Sequence, residues 1–162
     1  MKTIILIRHA KSSWKDMSLD DFDRPLNSRG KRDAPIIAKY MQSQKMHIDK
    51  IFSSSAKRAK ETAIIFAETI DLQVEYYEEL YMTSTNKLLL FIENKLKKHN
   101  SIAIVSHNPE LTELNNYLTN QYIANIPTSA YVVLELNESN IKKGSCKLVD
   151  FVYPKRKDIC VN

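Results

Sequence analysis

Two apolar runs of this chain end in a histidine, Thr3-Ile4-Ile5-Leu6-Ile7-Arg8-His9 and Ile102-Ala103-Ile104-Val105-Ser106-His107. At the end of the first, a guanidinium stands beside an imidazole: Arg8 could hold a phosphate bidentately next to a ring able to attack phosphorus. Taken alone, Arg8-His9 fits a hydrogen-bonded loop histidine beside a surface ion pair better. A second signal is the run Ser53-Ser54-Ser55-Ala56-Lys57-Arg58-Ala59-Lys60-Glu61-Thr62-Ala63, a short polar turn leading into a helix with Arg58 in its first turn. Exposed amides, the positive helix end and a guanidinium can converge there on an anion, whereas the bland alternative is a capped helix with a basic surface. With Arg8 and the two run-ending histidines added, an anion site is the better reading. His107 leads into Asn108-Pro109, and proline suits the first position of a helix, so an imidazole there fits a phosphoryl-oxygen ligand. His47 and His99 sit in polar, helix-end surroundings and are read as structural.

These residues need a scaffold that brings distant strand ends together. Continuous β-branched and aliphatic runs read as strands buried on both faces of a sheet, and ligands of open α/β sheets bind at the carboxyl ends of such strands. Between the runs the pattern alternates. Lys11 to Asp23 is an irregular polar loop, and a helix follows over about 28–43 with Asn27 as its N-cap and Leu26 before it. A strand is expected over 48–53, a helix over 56–70, a strand over 72–77, a helix over 85–98 and a helix over 109–118. The chain closes with strands over 130–136 and 146–152 joined as a hairpin. The expected fold is an α/β three-layer sandwich: a mostly parallel mixed sheet, antiparallel at one or more edges, covered by helices.

Composition supports one domain over residues 1–162. With 43% hydrophobic and 27% charged residues, the chain has globular rather than disordered usage. A domain of this size buries about 70% of the surface its unfolded chain exposes. The net charge of +5 suits an anionic partner, although the densest cluster, Lys155-Arg156-Lys157, reads as a solvated tail, and no nucleic-acid motif accompanies it. Cys146 and Cys160 lack CxxC spacing, so no zinc or redox signature is present. Neither a signal peptide nor an apolar stretch near membrane-spanning length is visible, so a cytoplasmic protein, with no membrane partner and a monomer by default, is expected. Gly30 and Gly144 are the only glycines, which excludes glycine-rich phosphate loops of the P-loop and dinucleotide types.

Arg8-His9-Ala10, Arg24-Pro25-Leu26 with Gly30, Ser54 through Arg58-Ala59-Lys60-Glu61-Thr62-Ala63, and Val105-Ser106-His107 occur in an order that resembles the histidine phosphatase, or phosphoglycerate-mutase-like, superfamily. Its pattern is an N-terminal strand ending in Arg-His-Gly, a Pro-Leu-x-x-x-Gly helix entry, a Ser-x-x-x-Arg-Ala-x-x-Thr-Ala helix start and a later strand ending in histidine. The short chain and the run His107-Asn108-Pro109-Glu110-Leu111 look most like the SixA-type branch of phosphohistidine phosphatases. The resemblance implies a phosphoglycerate-mutase-like fold with His9 as a nucleophile carrying a phosphohistidine. It also implies that Arg8, Arg58 and His107 bind the transferring phosphoryl oxygens. Neighbouring arginines keep an imidazole neutral and would repel a metal cation, so neither metal nor cofactor is expected.

The chain departs from the pattern twice. Ala10 replaces the usual glycine, and the glycine-rich stretch that normally follows the acidic residue is missing after Glu79, the position that the resemblance offers as general acid. Asp16, Asp20, Asp21 and Asp23 of the first loop are alternative acids. A phosphohistidine substrate can manage without a strong acid, because its leaving imidazole can already carry a proton. The expected activity is a metal-independent phosphatase acting on protein phosphohistidine or small phosphate monoesters. The alternatives are a phosphosugar mutase of the same chemistry and a noncatalytic phosphate-binding module.

Overall fold

The structure is a computed structural model and describes residues 1–159; Cys160 lies outside the described residues. In chain order it runs β1 (Lys2–Arg8), α1 (Ser28–Ser43), β2 (Lys50–Ser54), α2 (Lys57–Ile70), β3 (Val74–Tyr77), α3 (Thr85–Leu96), β4 (Ser101–Ser106), α4 (Glu110–Leu118), β5 (Tyr131–Leu136) and β6 (Cys146–Val152). Short 3-10 turns cover Asp21–Asp23 and Glu78–Leu80. The strands form one sheet in the order β3-β2-β4-β1-β5-β6.

Alternation along the strands divides the core between the two faces. Ile4 and Leu6 of β1 pack with Leu88 and Ile92 of α3 and Leu111 and Leu114 of α4. Ile5 and Ile7 point the other way, towards Ile37 and Met41 of α1 and Ala63 and Phe66 of α2. Each fully buried aliphatic side chain contributes about 1.5–3 kcal/mol relative to exposure. The three-layer sandwich expected from the continuous apolar runs is thus present.

The sheet register positions the site. β1 and β4 are parallel neighbours with Arg8 opposite Ser106, so His9 and His107, one residue further on, leave the sheet side by side. β2 lies on the far side of β4 with Ser53 opposite Val105, which delivers Ser54 beside His107.

The strand running against β1 is β5, which lies inside the sheet between β1 and β6. The antiparallel strand is therefore internal, and the edge strand β6 is antiparallel only to its neighbour. β3 starts at Val74 rather than Leu72, because Asp71 takes a left-handed conformation and the Leu72 N–H bonds the Ala67 carbonyl at 2.9 Å, so these residues close α2. α4 starts at Glu110, with Pro109 in the cap position. α1 covers the expected span, and its Asn27 side chain accepts the Gly30 N–H at 2.9 Å.

Candidate active site

His9 follows β1 and is only 8% exposed. Its backbone N–H bonds the Ser106 carbonyl at 3.1 Å, and its carbonyl accepts the Ser129 N–H at 3.2 Å, which fixes the residue between β4 and the start of β5. Its ring Nδ1 stands 2.7 Å from the Ala10 carbonyl. A carbonyl only accepts, so Nδ1 carries the proton and Nε2 presents its lone pair. Arg58 Nε points at that nitrogen from 3.4 Å.

Ala10 is held in turn: its N–H bonds Thr62 Oγ1 at 2.9 Å, while the Thr62 hydroxyl donates to the Arg58 carbonyl at 2.7 Å. Thr62 therefore ties the strand carrying His9 to the helix carrying Arg58. The Ala10 backbone lies outside the left-handed region, so alanine serves here without conformational strain.

His107, also 8% exposed, follows β4, with its ring centroid 5.1 Å from that of His9. Its Nε2 is 2.8 Å from Ser54 Oγ, which also accepts the Ala56 N–H at 3.2 Å. Its Nδ1 is buried with no partner among the described residues, as is Nε of Arg8. Nη1 of Arg8 donates to the Ile126 carbonyl at 2.9 Å, an acceptor it shares with Asn108 Nδ2 at 3.0 Å. At the start of α2 the N-cap residue, Ala56, has no side chain that caps the helix, and the uncapped amides of a first turn suit an anion.

Arg58 is buried, and two of its nitrogens reach the first loop. Nη1 donates to the Asp21 carbonyl at 2.7 Å and Nη2 to Asp21 Oδ2 at 3.0 Å. Asp21 also accepts from the Tyr81 hydroxyl at 2.7 Å and from Arg24 Nε at 3.1 Å. Tyr81 packs edge-on against His107, and Phe22 packs edge-on against Tyr81. Arg58, Tyr81 and His107, with Asp21, Asn108 and Glu110, line a cavity of about 270 Å³.

Burial, the nearby His107 and the Arg58 and Arg8 charges hold the His9 pKa well below its ordinary 6.5, against the hydrogen bond to Ala10. Burial, then Arg58, takes His107 down to about 3, although Asp21 opposes the shift. Burial alone would raise the Asp21 carboxyl, but the Tyr81 hydroxyl and the Arg58 guanidinium outweigh it and hold it at about 2. Desolvation lowers Arg8. Neutral imidazoles and cationic guanidiniums therefore share one pocket. Such a pocket can bind an oxyanion and present it to a nucleophilic nitrogen.

The structure thus brings together His9, Arg8, Arg58 and His107. Glu79 stands exposed on the adjoining turn, lining a neighbouring groove that shares Tyr81 with the cavity. Of the four first-loop aspartates, Asp21 reaches Arg58; Asp16 bonds Ser18 on the surface. The sequence motif included Ser54 without disclosing its bond to His107; its signal was a serine closing the strand beside the one that His107 follows.

The chain is similar to known proteins in sequence and in fold. The family model of the histidine phosphatase superfamily, branch 1, matches residues 4–82. A Mycobacterium tuberculosis protein described as uncharacterised is 29% identical over 92% of this chain and the whole of its own length. Among solved structures, a protein assigned as the phosphohistidine phosphatase SixA of Agrobacterium tumefaciens is 27% identical with a TM-score of 0.84, covering 94% of this chain and 98% of its own. The protein histidine phosphatase SixA complexed with tungstate shares the fold at 21% identity and a TM-score of 0.82, covering 94% of this chain and 97% of its own.

Proposed function

We propose that this chain, which belongs to the histidine phosphatase superfamily and is a phosphatase similar to SixA, works through a covalent phosphohistidine at His9. Its substrates on this reading are protein phosphohistidine or small phosphate monoesters. The observation that carries the mechanism is the His9 ring: Nδ1–H is held by the Ala10 carbonyl, and the Nε2 lone pair faces Arg58 in a buried basic pocket.

Nε2 attacks phosphorus in line with the leaving group; the bond from phosphorus to the leaving nitrogen or oxygen breaks as the bond to Nε2 forms. Water then attacks the phosphoryl-imidazole, returning His9 to its neutral state and releasing phosphate. Arg58 and Arg8 neutralise the phosphoryl oxygens, and the unpartnered Arg8 Nε and His107 Nδ1 supply further contacts. The tautomer with Nδ1–H on His107 requires the Ser54 hydroxyl to donate to Nε2, which it can do while accepting from Ala56.

Asp21, ionised down to about pH 2, cannot be the acid at neutral pH. Glu79 on the adjoining turn and Glu110 in the cavity lining are carboxyls left for protonating an ester leaving group, while a phosphohistidine substrate brings a leaving imidazole that can carry its own proton. On this reading the chain is one domain, acting as a cytoplasmic monomer without a metal; among the described residues no helix is long and apolar enough to cross a membrane.

The test is phosphate release from a phosphohistidine peptide and from p-nitrophenyl phosphate in excess EDTA, with wild type and His9→Ala side by side. Turnover that survives chelation and disappears in the variant is expected. Substantial turnover by His9→Ala would overturn the assignment.

A further inference from the structure

Resting on the phosphatase reading, we propose that Asp21 competes with the phosphoryl group for Arg58 and thereby sets how tightly the product phosphate is held. The geometry of the guanidinium is the reason. Its Nη1 and Nη2 both go to Asp21, to the backbone carbonyl at 2.7 Å and the carboxylate at 3.0 Å, while Nε alone faces His9. A guanidinium grips an oxyanion best through two parallel N–H bonds. A phosphoryl group on His9 meets the Nε–H directly and must share or take an Nη–H from Asp21 for the second bond.

Asp21 is built into this position. Tyr81 donates to its Oδ2 at 2.7 Å and Arg24 to its Oδ1 at 3.1 Å. Arg24 is itself buried, bonded to Ser12 Oγ at 2.8 Å, and stacked 3.6 Å from the centroid of the Trp14 ring. Among the described residues Asp21 is the carboxylate that forms an ion pair with Arg58; Glu110, which also lines the cavity, forms none with it. A site with two arginines and two histidines around one phosphoryl group risks holding inorganic phosphate too well. A carboxylate fixed beside one arginine weakens the hold on the dianion and takes Arg58 back as phosphate leaves. The first loop, which offered four aspartates of equal standing, thereby supplies one that tunes the site without touching the reacting atoms.

Asp21→Asn is the test. The asparagine keeps the backbone carbonyl and a side-chain oxygen that can serve Tyr81 and Arg58, and it loses the negative charge together with the acceptor for Arg24 Nε. Because the side chain is 47% exposed, its charge is partly screened, and about fivefold is the expected effect. Isothermal titration with inorganic phosphate should show about fivefold tighter binding by Asp21→Asn than by wild type, with product inhibition of phosphohistidine-peptide turnover strengthened by the same factor. Asp21→Ser, shorter by one atom and uncharged, should move both quantities in the same direction. A merely structural role would loosen Arg58 and weaken phosphate binding. Unchanged or weaker phosphate affinity in both variants, with wild-type turnover intact, would overturn the competition and leave the phosphatase reading standing. Absence of wild-type turnover on any phosphorylated substrate would overturn that reading itself.

Discussion

Replacing Gly30 by alanine should destabilise this protein, although alanine is the better helix former by about 1 kcal/mol. Gly30 lies in the first turn of α1, and a Cβ built on it would stand 2.3 Å from the Lys11 carbonyl oxygen and 2.9 Å from the Lys11 nitrogen. Ordinary contact requires the Lys11 backbone to retreat by about 1 Å. That retreat pulls on the bond from the Asn27 N–H to the Lys11 carbonyl at 2.9 Å and on the Asn27 cap over Gly30. Overpacking costs about 1–3 kcal/mol and a weakened hydrogen bond about 1 kcal/mol, while helix propensity returns about 1 kcal/mol. The net loss is about 1–3 kcal/mol, a fall in Tm of about 3–10 °C for a chain of this size. Turnover should fall further than stability suggests, because Lys11 follows Ala10, whose carbonyl holds the His9 ring. A shift near 1 Å at a reacting group can cost about a hundredfold in rate. Differential scanning calorimetry and phosphate release on Gly30→Ala make the check. An unchanged or higher Tm would show that propensity outweighs the clash and refute the close-approach argument.

Two further outcomes follow from the buried pair of histidines. His9 titrates well below 6.5 and His107 at about 3 when folded. Below pH 6.5 the unfolded chain therefore takes up protons that the folded chain refuses, and stability falls with pH by about 1.4 kcal/mol per unit for each histidine fully within its window. Asp21 acts in the same direction between its ordinary 3.8 and about 2. Urea unfolding near pH 7 and near pH 5 should show the loss, and equal stability at both would contradict it. Ser54→Ala removes the hydroxyl that bonds both His107 Nε2 and the Ala56 N–H. The change should cost about 1–3 kcal/mol and lower kcat about tenfold or more; an unchanged kcat would show that His107 needs no such positioning.

Much of this arrangement was legible in the sequence because it rests on local rules. The burial of β1 and β4 on both faces follows from their centres, Ile4 to Ile7 and Ile102 to Val105, which hold no polar residue, and the parallel pairing of two such strands puts the residues after them together. The start of α1 follows from Asn27 as a cap, and its length from the apolar spacing up to Met41. The less legible features depend on contacts between segments distant in the chain. Whether the final hairpin joins through its first or second strand depends on packing against β1, so the internal place of β5 was not readable. Four aspartates lie in one loop, and the turn that aims Asp21 at Arg58 is held by Arg24 and Phe22 of that loop together with Tyr81, 60 residues further along the chain. Ala10 departs from the family's glycine at a position whose backbone needs none, something only its conformation could reveal.

The most direct test of the central reading is to trap the phosphoryl group on the protein. Wild type would be mixed with a radiolabelled phosphohistidine peptide, quenched rapidly in alkali, which preserves phosphohistidine, and mapped by peptide mass spectrometry. The expected result is one phosphoryl group on His9, absent from His9→Ala and lost on acid treatment. Steady turnover by wild type with no label on His9 at any quench time, or label on another residue that persists in His9→Ala, would contradict it.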